Sequence, residues 1–424
     1  MVPCLCLGLR KRDHLGSLRS RHGRWSLSTT GPTPLVLRGL AKKIKKSVLC
    51  QHSSCLHAKQ RVGSSALAYS LLLLMLPDLS KLEASLLNTS GDVKLDVRFR
   101  TLFTLKGLAA LSQDKRERVI EIISKGFSDD SALLKHEMAY VLGQIKDTRA
   151  LPCLEGILRD EKQHTMVRHE AAEAMGAISS VESLPVLQKY FVEDPDVSIR
   201  ETCHLAISKI ELDNSDIGHT EQALQAERDK AHGDALDAAA RAAAPIDPAP
   251  AIVTVQGFSD QKENVYTLSS VPTFRATLLD TSLSLFERYR AMFALRNTVQ
   301  RGDEEAQKAA VRALVDGLKD ESALFRHEIC FVFGELCHPA SIPAMSHVLD
   351  DAHEHEMVRH EAAEALGAVL EESGGGDESE RVIAMLRQYA NDASAPRVVR
   401  ESCVVALDEM AYNNDPTQFQ PIES

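Results

Sequence analysis

The sequence predicts an all-α fold, a solenoid of stacked helical hairpins, and three observations carry that expectation. Aromatic residues make up only 5% of the 424-residue chain while Ala and Leu abound, which favours helix over sheet. A helical pattern of small and apolar residues opening on a basic residue returns about every 30–35 residues, the signature of stacked helix pairs. The pattern is also duplicated as a block. His136-Glu137 and His169-Glu170 stand 33 residues apart, as do His327-Glu328 and His360-Glu361, and the two pairs are offset by 191 at both members.

Taken in chain order, the elements divide as follows. Residues 1–77 form a basic leader with 13 Lys/Arg and a single acid, Asp13, read as disordered or as no part of the native protein. Its Arg/Ser-rich, acid-poor composition also resembles an organellar transit peptide. The apolar run from Ala66 to Leu76 is too short for a bilayer, which takes roughly 20 residues. Residues 78–211 are the first lobe. Its repeats open on Arg98-Phe-Arg, Lys135-His-Glu, Arg168-His-Glu and Arg200-Glu-Thr. Residues 276–415 are the second, with Arg288-Tyr-Arg, Arg326-His-Glu, Arg359-His-Glu and Arg400-Glu-Ser in the same order. Each unit is a helix, a polar turn and a second helix whose Ala residues permit close packing, with Gly143, Gly176, Gly334 and Gly367 near its end as at a helix C-terminus. One hairpin cannot bury its own apolar face, so neighbours must stack. The architecture expected is therefore an α-solenoid of eight HEAT-like helical hairpins in two four-repeat lobes.

Between the lobes, 212–275 lose the period and read as a linker. Residues 221–243 suit a polar, Ala-rich helix that Pro245-Ile-Asp-Pro-Ala-Pro breaks. Residues 371–380, Glu-Glu-Ser-Gly-Gly-Gly-Asp-Glu-Ser-Glu, read as an inserted surface loop, and 416–424 as a tail. Outside the leader the chain holds 36 basic and 59 acidic residues, a net of −23. Such a field disfavours nucleic acid and suits a cationic partner. Cys153, Cys203, Cys330, Cys337 and Cys403 fall in helical patterns as small apolar residues of a reducing compartment. Cys4/Cys6 and Cys50/Cys55 lack the partners of a zinc site.

The four His-Glu pairs carry the chemistry. Arg followed by Ala-Ala-x-Ala-Leu-Gly is ordinary repeat consensus, so Arg168 and Arg359 read as scaffold that pairs with acids of the next repeat. Histidine occurs at this position only in the two central repeats of each half, and a histidine near a core is costly unless something binds it. Equivalent helices of adjacent repeats lie about 10 Å apart, within reach of side chains converging on one ion. Two His and a carboxylate from each half, with positions left open, suit non-haem iron, and two such half-sites make a binuclear centre. Zinc is the chemical competitor, although no His-Glu-x-x-His motif occurs.

On these motifs, on the doubled four-repeat layout and on the linker, residues from about 78 to 415 resemble the deoxyhypusine hydroxylase family, HEAT-repeat di-iron monooxygenases. The resemblance implies oxidation of deoxyhypusine, an aminobutyl-lysine of translation initiation factor 5A, to hypusine, with O2 as co-substrate and an external electron donor. It implies two Fe2+ ions, one held by His136, His169 and Glu170 and the other by His327, His360 and Glu361. Glu137 and Glu328 belong to the same motifs as catalytic candidates. They either ligate metal, hydrogen-bond a bound water or hold the substrate amine. From the acidic body, the short apolar run and the cysteines, a cytoplasmic enzyme with neither nucleic acid nor membrane as partner is expected, with mitochondrial targeting by the leader as the alternative. A metal-free HEAT scaffold for a basic partner is the competing reading from another class. A bilin-lyase-like HEAT protein shares the Ala-rich repeat but gives no reason for four His-Glu pairs.

Lesser histidines remain. His164 and His355 match across the 191 offset one turn before the ligand helices, and read as helix-capping or turn residues, with a role at the site as the alternative. His353, in a His-Glu-His-Glu run, reads as solvated. His204, Tyr140 and Tyr289 read as packing residues.

Overall fold

The structure, a computed structural model, describes residues 78–231, 245–254, 264–373 and 376–414. The basic leader, with its cysteine pairs and apolar run, and the tail at 416–424 lie outside the described residues, as do 232–244 and 255–263 of the linker. The described residues form seventeen α-helices and no strand. None of these helices is long and apolar enough to cross a membrane.

Helices pair in chain order. In the first half α1 (Leu79–Leu86) packs on α2 (Leu95–Ala109), α3 (Gln113–Lys125) on α4 (Ala132–Ile145), α5 (Leu151–Arg159) on α6 (Thr165–Ile178) and α7 (Leu184–Glu193) on α8 (Val197–Asp213). After α9 (Asp216–Ala231) come α10 (Val271–Leu279) with α11 (Leu285–Arg301), α12 (Glu304–Gly317) with α13 (Ala323–Leu336), α14 (Ile342–Asp350) with α15 (Glu356–Ser373) and α16 (Asp377–Asn391) with α17 (Arg397–Asn414).

Local sequence explains the starts and stops. Four outer helices, α5, α7, α10 and α14, begin on an apolar residue followed by Pro, where the missing N–H costs nothing. Ser131 and Ser322 cap the ligand-bearing helices α4 and α13 by accepting from Leu134 and Phe325 N–H. Helices α4, α6 and α13 stop at Lys146, Ser179 and Cys337, each left-handed. Gly143, Gly176 and Gly334 lie two residues before the last helical residue and Gly367 lies six before it, none of them at a C-cap. A Cβ on Gly143 would stand 2.8 Å from Ala174 Cα, and one on Gly176 3.0 Å from Ala206 Cα. Gly143, Gly176 and Gly367, whose Cβ would stand 2.9 Å from Ala406 Cβ, therefore serve close helix approach, whereas Gly334 has only ordinary contact with Ala365.

The repeat arginines are scaffold. Arg98, Arg168, Arg288 and Arg359 donate through Nε to the carbonyls of Leu86, Leu158, Leu278 and Leu349 at 2.9–3.0 Å, closing the last turn of the preceding helix. Arg168 also pairs with Asp194 of the next repeat, Arg98 with Asp129 and Arg288 with Asp320.

The second helices of the pairs form an inner layer. Each contacts the next, α2, α4, α6 and α8, then α11, α13, α15 and α17. Helix α8 meets α11 and α13, and α17 returns to α2 and α4, so the inner layer closes into a ring and the helices of both halves pack as one unit. The linker is docked on this unit. Glu221 and Asp229 of α9 pair with Arg290 and Arg301 of α11 at 2.7 and 2.8 Å. The insertion expected as a surface loop is taken up mostly as helix: α15 runs to Ser373 and α16 starts at Asp377. Cys203, Cys330 and Cys403 are buried free thiols and Cys153 is a partly buried one, whereas Cys337, expected with them as a thiol of a reducing compartment, is disulfide-bonded.

Candidate metal centre

All four His-Glu pairs lie in the inner layer, on α4, α6, α13 and α15, and all eight side chains are buried. The four imidazoles face one another. Ring centroids of His136 and His169 are 5.4 Å apart and those of His327 and His360 also 5.4 Å. Across the halves, His136–His360 and His169–His327 are each 5.3 Å, and the His136–His327 diagonal is 6.2 Å. The carboxylates follow the same pseudo-twofold relation. Glu170 Oε2 lies 3.3 Å from His136 Nε2, and Glu361 Oε2 lies 3.4 Å from His327 Nε2. In each half the glutamate of one repeat therefore reaches the histidine of the repeat before it.

The donor set fits a metal. Both ring nitrogens of His136, His169, His327 and His360 are buried without a hydrogen-bond partner among the described residues, as is Glu328 Oε1. Four buried imidazoles at one place with no hydrogen-bond partner are costly unless a cation takes the one lone pair that each neutral ring offers. Three sets of donor atoms lie mutually within 4.8 Å: His136/His169/Glu170, His360/Glu361/Glu364 and His136/His327/His360. The first is the triad expected for one ion. In the second half Glu364 joins His360 and Glu361, while His327 approaches Glu361 from the other side. Nitrogen and oxygen donors in this ratio suit iron, manganese or zinc.

Electrostatics point the same way. Burial and crowding by Glu173, Asp247, Glu335 and Glu361 push the Glu328 carboxyl well above its ordinary range. Glu173 is raised well above it by burial and by Glu170. Burial lifts Glu335 to about 7, against the pull of Arg296. His169 and His360 are held neutral, chiefly by burial, whereas for His136 the Glu170 and Glu137 carboxylates overcome burial and raise it to about 10. So many buried carboxyls cannot all ionise without added positive charge.

Glu137 and Glu328 line the same pocket as His136 and His327. Four further carboxylates that the motif reading did not name, Glu173, Glu335, Glu364 and Glu409, line it too. Glu173 and Glu364 are visible in the sequence after the fact, each four residues beyond a ligand histidine and therefore on the same helix face. Tyr140, expected as a packing residue, instead lines the pocket with its hydroxyl buried and no hydrogen-bond partner among the described residues. It faces Phe331, its equivalent in the second half, at 6.3 Å. The remaining lesser assignments hold. His164 and His355 cap α6 and α15 by accepting from Met166 and Met357 N–H, His353 is exposed, His204 stacks on Phe191 and the Tyr289 hydroxyl bonds to Leu324 O.

An α-solenoid closed around paired histidines and glutamates defines a class, the helical-repeat proteins whose inner helices present a cluster able to hold metal. Residues 117–208 and 311–408 match the family model for HEAT repeats. The chain is 59% identical over 353 residues to the deoxyhypusine hydroxylase of Mycosarcoma maydis, covering 81% of this chain and 98% of that protein. Against the deoxyhypusine hydroxylase of Schizosaccharomyces pombe it is 43% identical, with 79% and 92% covered. The structure of human deoxyhypusine hydroxylase in complex with glycerol superposes with a TM-score of 0.61 at 40% identity, covering 80% of this chain and 98% of that one. The chain belongs to the deoxyhypusine hydroxylase family, and so is an enzyme and not a repeat scaffold.

Proposed function

We propose that this enzyme hydroxylates the aminobutyl-lysine side chain of deoxyhypusine in translation initiation factor 5A, using O2 at two iron ions held by the His-Glu cluster. The observation that carries the reading is the ring of four buried imidazoles whose nitrogens have no hydrogen-bond partner among the described residues. His136, His169 and Glu170 would hold one ion, and His327, His360 and Glu361 the other, with Glu364 within reach of the second. When bound, iron supplies the electrons and binding positions by which O2 is activated.

The protein's own residues handle the arm. Its substrate is an alkyl chain with two ammonium groups, and the pocket offers carboxylates for the charges and Tyr140, Phe331, Ile246 and Pro248 for the methylenes. Glu137 and Glu328, one from each half, are placed to take the ammonium groups or to ligate metal. Charge-assisted bonds to a buried carboxylate are short and strong, and the arm's positive charge would offset the burial and acidic crowding that push the Glu328 carboxyl upward. The overall balance is one C–H bond and O2 converted to C–OH and water, with two electrons from an external donor and two protons.

The test is metal content per chain on purified protein, followed by incubation with O2, a reductant and a protein carrying N-(4-aminobutyl)lysine. About two irons per chain and a mass gain of one oxygen support the proposal. Stoichiometric zinc without oxygen transfer would overturn it.

A further inference from the structure

The linker contributes a wall to the pocket, and both halves grip it. Ile246 and Pro248 line the cavity that also holds His136, Glu137, His327 and Glu328. Ile246 N–H donates to Gln144 Oε1 at 3.0 Å, from the end of α4. Asp247 is held by Arg296 of α11 through two parallel bonds of 2.5 and 2.7 Å. The same guanidinium reaches Glu335, near the end of α13, at 3.1 Å. Gln144 and Glu335 occupy equivalent positions, offset by 191, so the two ligand helices that open the pocket each hold one side of this strap. Further along, Ile252 N–H donates to Arg290 O at 3.1 Å, and Arg228 donates to Val253 O.

A bidentate, partly buried arginine pair fixes geometry as well as charge. Here it fixes the segment that closes the pocket next to residues carrying the reactive cluster. On the assignment made under Proposed function, on which this inference rests, we propose that Ile246 and Pro248 are specificity-determining residues that set the length of alkyl arm the site accepts. Arg296 and Asp247 are then positioning residues that hold the strap at the required depth. The asymmetry of the grip supports this. The first half offers the neutral Gln144 to a backbone N–H, and the second offers Arg296 and Glu335 to a side chain, so the strap is seated in one direction only.

The experiment compares wild type, Ile246→Ala and the near-isosteric Asp247→Asn on two protein substrates, one with an N-(4-aminobutyl)lysine arm and one with an N-(5-aminopentyl)lysine arm. Metal content and far-UV circular dichroism are read on every sample. Wild type should prefer the four-carbon arm. Ile246→Ala should raise the pentyl-to-butyl ratio of kcat/KM roughly tenfold, the scale of one methylene in an apolar pocket. Asp247→Asn should move the ratio in the same direction by a smaller factor, with metal content unchanged. A merely structural role would lower both substrates together. A wild type that turns over the butyl arm while neither variant moves the ratio overturns the strap alone. A wild type with no turnover of either arm overturns the functional reading and this inference with it.

Discussion

The Ser131 hydroxyl donates to the Glu401 carboxylate at 2.7 Å, and so joins the second repeat of the chain to the last. Ser322 makes the same 2.7 Å bond to Glu201, at the other seam between the halves. Glu201 and Glu401 stand in the Arg-Glu repeats, where the central repeats have His-Glu. One position of the repeat thus provides the candidate metal donors in four units and seam closure in two. Ser131 also caps α4, so the ring closes at the residue that starts the helix of His136.

Glu401→Ala and Glu201→Ala should each lower stability by about 1–2 kcal/mol, the scale of a part-buried hydrogen bond to a carboxylate. Denaturant midpoints of the metal-free protein would measure this. Midpoints within error of wild type for both variants would show that the seams do not need these bonds.

Gly143→Ala should destabilise by about 1–3 kcal/mol, because its Cβ would press on Ala174 Cα, where there is no flexible side chain to yield. It should also lower metal content, since α4 and α6 carry His136 and His169. Gly156→Ala is the control. Beyond its own stretch of helix backbone no atom lies within 4 Å of its Cβ, so the same substitution inside α5 should be neutral or stabilising by up to about 1 kcal/mol. Equal effects from the two would refute the close-approach role.

Lys106 of α2 is a charge the fold holds at a cost. Its ammonium lies 5.4 Å from the Tyr140 ring centroid, and burial lowers its pKa to about 8 in spite of Glu137. The unfolded chain keeps the ordinary lysine value, so between about pH 8 and the usual lysine range it binds more protons than the folded one. Stability from this group therefore rises with pH across that window. Lys106→Met should be more stable than wild type at pH 7, with the gap shrinking by pH 9.5. An equal gap at both pH values, read as denaturant midpoints on metal-free protein, would contradict this.

Much of this was legible in the residues. The doubled repeat and its four His-Glu pairs announced both the solenoid and the histidine cluster, since a period and an offset survive without knowledge of packing. The glycines were legible only as lying near helix ends, because a glycine there looks alike whether it ends the helix or admits a neighbour. Tyr140 looked like core because its polar tip faces inward. The strap was hidden most deeply. Ile246-Asp247-Pro248 sits in a stretch without period, and its partners Gln144 and Arg296 lie far along the chain, so only the folded ring brings them together.

Glu173 and Glu364 offer the sharpest separation of metal binding from substrate binding. They are equivalent residues, each four beyond a ligand histidine, yet only Glu364 belongs to a close donor set, with its Oε1 at 3.6 Å from His360 Nδ1. Ser402 donates to that same oxygen at 3.0 Å and holds it in place. Glu364→Gln removes the negative charge there and should lower metal content per chain. Glu173→Gln removes a buried carboxyl that crowds Glu328 without belonging to any close donor set, so metal content should stay at the wild-type level. If the pocket's carboxylates hold the cationic arm, Glu173→Gln should instead raise KM, by roughly tenfold for one charge-assisted bond, with kcat less affected. Loss of metal in both variants would mean that Glu173 also serves the metal, and unchanged KM in Glu173→Gln would remove it from the substrate's path.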